Sequence, residues 1–110
     1  MDRITVADAV KSLETLLQAL DNAYWEASQI AHKDVIYDII SIIHMETNEL
    51  AKLSVEDHYM AYEPITAAFR SSQGKLKMLH TNLQNWVNRS STAQLLEVEL
   101  PATTLLLNQH

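Results

Sequence analysis

Residues 6–31 read VADAVKSLETLLQALDNAYWEASQIA, and their spacing decides the fold. Val6, Val10, Leu13, Leu17, Leu20, Tyr24, Ala27 and Ala31 recur at alternating steps of four and three, with no Gly or Pro among them. That rhythm belongs to a long helix with one apolar seam. Such a seam needs other helices to cover it, so the chain is expected to be all-α: an antiparallel bundle of three long helices plus a short C-terminal helical segment. Ala9, Leu16, Ala23 and Ile30 lie beside the seam and widen it towards a second neighbour. Thr5 and Asp8 form a capping box at its start.

Outward from this stretch, Ala31 to Asp34 is read as the turn, with Asp34 as N-cap of helix two over about 34–53. Its β-branched run, Val35, Ile36, Ile39, Ile40, Ile42 and Ile43, has the composition of a strand but exceeds a strand's ordinary length. Helix two is therefore expected to be the most enclosed. Ser54 and Asp57 form a second capping box, and Pro64 suits the first turn of helix three. Ile65, Phe69, Ser72, Leu76, Leu79, Leu83 and Trp86 carry the same rhythm to about Asn88, through Gly74. Ser90 to Thr92 can cap a short helix near Ala93–Glu97. The leucines around Pro101 should then fold over the bundle or pack on another chain.

Composition agrees. The 110 residues suit one domain, residues 1–110, and contain only one Gly and two Pro, whereas β-rich folds spend such residues on turns. No Cys occurs, which removes disulfides, thiol nucleophiles and cysteine-held zinc. No stretch approaches the ~18 apolar residues of a membrane span, and the N-terminus lacks a secretory pattern. A cytoplasmic protein is expected. Residues 1–63 hold twelve acids against four bases, while residues 64–110 hold four bases against two acids. The overall charge of −6 disfavours nucleic acid as a partner. The mildly basic third helix suits packing beside the acidic first two.

Candidate chemistry is sparse. His44 and His80 lie on helices, but neither sits in the His-x-Leu-Lys-Gly pattern of histidine phosphotransfer domains. Glu46 and Glu49 are three residues apart and share a helix face. This Glu-x-x-Glu resembles the metal site of helical nucleoside-triphosphate pyrophosphohydrolases. The resemblance implies a metal-dependent hydrolase using Glu46, Glu49 and Glu63. The second half of that family's motif, Glu-x-x-Asp, is here Glu63-Pro64-Ile65-Thr66. Glu46 occupies a strict heptad's core position; helical drift moves the stripe to Thr47 and puts Glu46 on the rim. The alternative is a buried carboxylate paired with His80 or a Lys.

Aromatic residues point elsewhere. Trp25 lies off the seam beside Tyr24, and Tyr37, Tyr59, Tyr62 and Trp86 add amphipathic surface. Aromatics so placed anchor protein contacts. The sequence therefore favours a non-enzymatic helical interaction module, a regulator, adaptor or chaperone-like protein acting as a homodimer. Its expected contact set is Tyr24, Trp25, Trp86, Leu105, Leu106 and Leu107, and no cofactor is expected.

Overall fold

The computed structural model describes residues 4–108. Six helices follow one another along them: α1 (Val6–Glu26), α2 (Ile30–Leu50), α3 (Ala67–Arg70), α4 (Gln73–Thr81), α5 (Leu83–Trp86) and α6 (Ser90–Asn108). A 3₁₀ turn, Glu56–Tyr59, lies between α2 and α3. No strand occurs among the described residues; a lone antiparallel bridge joins Thr5 to Ala61. The isoleucine-rich stretch is helical throughout. Helix α1 packs on both α2 and α6, and α4 packs on the same two partners. The chain is thus an up-down-up-down bundle of four rods, whose third rod is α3, α4 and α5 in sequence.

α1 starts where its sequence says. Thr5 Oγ1 accepts the Asp8 N–H at 3.2 Å, and the Asp8 carboxylate accepts the Thr5 N–H at 3.3 Å. Its buried ridge is Val6, Ala9, Leu13, Leu16, Ala19, Leu20 and Ala23. The ridge draws on both rows of the sequence reading, Val6, Leu13 and Leu20 from the seam and Ala9, Leu16 and Ala23 from the row beside it, while Val10, Leu17 and Tyr24 are half-buried and Ile30 is exposed. Three alanines in that ridge let α1 approach two neighbours closely. α1 has seven buried residues and α2 six, so α1, not α2, is the more enclosed rod.

Three boundaries differ from the sequence reading. The first is the corner between α1 and α2. α2 begins at Ile30 after Gln29, four residues before Asp34. Lys33, already inside α2, reaches back to donate to the Tyr24 carbonyl at 2.5 Å, one of the carbonyls that a helix end leaves without a partner. Asn88 Nδ2 does the same for the Glu26 carbonyl at 2.7 Å. Remote side chains, rather than Gly, end α1.

The third rod keeps its apolar rhythm but not its continuity. Phe69, Ser72, Leu76, Leu79 and Leu83 are all buried. Ser71 Oγ donates to the Ala67 carbonyl and Ser72 Oγ to the Phe69 carbonyl, and Asn82 Nδ2 donates to the Met78 carbonyl. Such bonds compete with the helical backbone and interrupt it at 71–72 and 82. Pro64 precedes the rod instead of opening it; α3 starts after Thr66. Lys75 pairs with Asp38 across to α2, the acid–base complement expected between these rods.

The C-terminal segment is not short: it is a full rod of 19 residues with Pro101 inside it. Proline removes one helical bond at the carbonyl four residues back, but Pro101 and Glu97 are on the exposed side, where water can serve that carbonyl. Leu96, Leu100 and Leu106 are buried. The leucine-rich end thus folds back over its own bundle.

Candidate functional site

Two ends of the bundle carry features beyond ordinary packing. At the α1–α2 corner, Tyr24 and Trp25 meet edge to face at 5.4 Å, and Tyr24 lies 6.2 Å from Tyr37. The Lys33 ammonium stands 4.6 Å from the Tyr24 ring centre and 5.7 Å from that of Trp25. At such distances the cation is attracted to the ring faces. Ile30, Lys33 and Tyr37 share one face of α2 by their spacing. Trp25 is 73% exposed, Ile30 77% and Tyr37 60%. These side chains form one outward-facing apolar corner organised around a cation.

The expected contact set does not stay together. Trp86 is half-buried and stacks on the His32 ring at 4.4 Å, so its ring is engaged within the chain. Leu106 is only 1% exposed and belongs to the core; it offers no surface to a partner. Leu107 packs against that core. Leu105 is 61% exposed, but it lies well along α6, about 22 Å from the start of that rod. That start is fixed beside the aromatic corner. The Glu26 carboxylate accepts the Arg89 N–H at 2.9 Å and the Thr92 hydroxyl at 2.6 Å, placing a negative charge where a helix N-terminus favours one. Of the expected set, Tyr24 and Trp25 remain as one surface.

At the other end, Glu46 is fully buried, not on the rim. Its partners are neither His80 nor a lysine. Oε2 accepts the Tyr62 hydroxyl at 2.5 Å and the Ile65 N–H at 2.8 Å. Oε1 accepts the Thr66 N–H and the Thr66 hydroxyl, both at 2.9 Å. Thr66 Oγ1 in turn accepts the Phe69 N–H at 3.1 Å and caps α3. Four donors, two per oxygen, offset the cost of removing a carboxylate from water. Burial, reinforced by the Glu46 carboxylate beside it, raises the Tyr62 phenol above its ordinary range, while Arg70 pulls weakly the other way.

This knot shapes residues 61–65. Tyr62 and Pro64 are buried, whereas Ala61, Glu63 and Ile65 are exposed, the alternation of an extended chain. Backbone bonds from Val6 N–H to the Met60 carbonyl at 2.9 Å and from Tyr62 N–H to the Ile4 carbonyl at 2.8 Å hold its start. The Arg70 guanidinium donates to the Pro64 carbonyl at 2.9 and 3.0 Å.

The metal-site resemblance is not met. Glu46 has both oxygens occupied by protein donors, Glu49 pairs with Lys52 at 2.7 Å, and Glu63 is on the exposed side of the extended segment. No group of three His, Cys, Asp or Glu among the described residues is placed to hold a metal ion. His80 lies 2.7 Å from Glu97, and His44 is exposed. No helix among the described residues is long and apolar enough to cross a membrane. Compared with known protein families, curated proteins and solved structures, the chain matches none.

Proposed function

We propose that the chain is a non-enzymatic helical interaction module that works as a homodimer joined at its aromatic corner. The observation that carries this reading is the exposure of Trp25, Ile30 and Tyr37 together at the α1–α2 corner. A bundle with a filled core gains nothing from leaving an indole and a phenol in water, whereas such side chains anchor contacts between proteins. The corner also holds both halves of a cation–π contact, Lys33 and the rings of Tyr24 and Trp25. That contact is made within the chain and holds the rings in place, so the exposed Trp25, Ile30 and Tyr37 form an ordered patch that a second copy can meet about a two-fold axis.

Light scattering tests the proposal. The wild-type chain should have a molar mass near twice 12.5 kDa, and Trp25→Glu should give the single-chain mass with an unchanged helical spectrum. A wild-type monomer at high concentration would overturn the homodimer.

A further inference from the structure

The extended segment braced by Glu46 is one wall of an apolar groove of about 540 Å³, at the far end of the bundle from the aromatic corner. Val6, Leu50 and Leu53 supply its apolar lining, and Ala61, Glu63 and Asp57 complete its edge. Two features say what would fit. First, the charged side chains that line it, among the described residues, are both carboxylates, Asp57 and Glu63. The nearest Lys or Arg in sequence, Lys52, is engaged by Glu49 at 2.7 Å. Second, the Thr5–Ala61 bridge uses the backbone groups of Met60 and Tyr62. Those of Ala61 and Glu63 therefore face the other way, and no described residue bonds to them.

We propose that this groove takes an extended segment of a partner protein, in which an apolar side chain is flanked by basic ones. The segment pairs its backbone with the edge at Ala61 and Glu63, adding a strand to the bridge. Its apolar side chain enters the space over Leu50 and Leu53. Alternate residues of an extended chain share a face, so basic side chains two positions on either side reach Asp57 and Glu63. Ser54 holds Asp57 in place through a hydroxyl bond at 2.9 Å, and the Glu46 knot holds the wall. The groove is thus built before the partner arrives, which lowers the ordering cost of binding. This site goes beyond the homodimer proposal and stands whether or not the aromatic corner pairs two copies.

The probe is the peptide acetyl-Lys-Thr-Leu-Thr-Lys-Thr-amide, titrated into isotope-labelled full chain and followed by amide shifts. Saturable shifts should centre on Leu53, Ala61 and Glu63. Replacing both peptide lysines by Glu, or its leucine by Ser, should abolish them. Glu63→Lys should weaken binding by about two- to fivefold, the scale of a partly exposed charge pair, with its melting curve unchanged because Glu63 lies outside the Glu46 knot. Trp25→Glu should bind the peptide as wild type does. Absence of shifts would overturn the groove assignment, as would equal binding of the Glu peptide or shifts confined to the α1–α2 corner. A monomeric chain that binds the peptide at the groove would overturn the homodimer and leave this site standing.

Discussion

The two ends of the bundle use polar and aromatic groups in opposite ways. At the α1–α2 corner, Lys33 and the rings of Tyr24 and Trp25 meet at the surface, where each contact is worth little to folding. At the other end a carboxylate sits wholly inside, ringed by donors from residues 62–66. The first arrangement leaves apolar area for another molecule. The second uses a buried charge to hold irregular backbone that has no regular ladder of its own. Substitutions at the two ends should therefore separate stability from association.

The largest effect is expected at Glu46. Glu46→Ala removes the common acceptor of two hydroxyls, those of Tyr62 and Thr66, and of the Ile65 and Thr66 N–H groups, and should cost about 3–5 kcal/mol by chemical denaturation. Glu46→Gln should cost less but still about 2 kcal/mol, because the amide nitrogen faces donors and cannot accept from the Ile65 or Thr66 N–H. A cost for Glu46→Ala under ~1 kcal/mol, the net worth of one ordinary hydrogen bond, would remove the distinction between the ends.

Tyr62→Phe deletes one of the four bonds and should cost about 1–2 kcal/mol near neutral pH. It also carries a pH signature. The folded phenol is raised above its unfolded value of about 10, so its stabilisation is fully present below that pH and is lost as pH rises through the folded value. The wild type should lose stability above about pH 10 more steeply than Tyr62→Phe, measured as the melting temperature against pH.

Trp25→Ala should change folding stability by no more than about 0.5 kcal/mol, yet abolish the proposed homodimer in sedimentation. A large stability loss would mean that the corner belongs to the core. Smallest of all, Gly74→Ala in α4 should stabilise by about 0.5 kcal/mol, since nothing lies within 4 Å of an added methyl and Ala favours helix. This change lies in neither end and calibrates the others.

How much of the molecule is legible in its sequence follows the reach of each interaction. The four-three spacing and the Thr5–Asp8 box are local, and the helices they imply are present. Ser54 and Asp57 do bond to each other three residues apart, but not as the capping box read from the sequence: the Asp57 carboxylate accepts the Ser54 hydroxyl, and the N-cap of the 3₁₀ turn is Val55, with no side-chain bond. The breaks in the third rod are hidden because its apolar rhythm persists through Ser71, Ser72 and Asn82, whose side chains compete with the backbone only in detail. Lys33, Asn88 and Glu26 close helix ends across 9 to 63 residues of sequence, a distance no local pattern encodes. Glu46 is the instructive miss. It stands at a core heptad position, and its partners Tyr62 and Thr66 come 16 to 20 residues later in sequence. An acid at a core heptad position, followed by Tyr62, Pro64 and Thr66 at every second residue, is the signal that could have found it.

Amide hydrogen exchange tests the central claim, that a buried carboxylate fixes residues 60–66. The Ile65 and Thr66 amides lie outside any helix, and the bonds that protect them run to Glu46. They should exchange as slowly as the buried helical core, while Ala61 and Glu63 exchange fast in the same extended segment. Equal, fast exchange at all four amides would contradict the account.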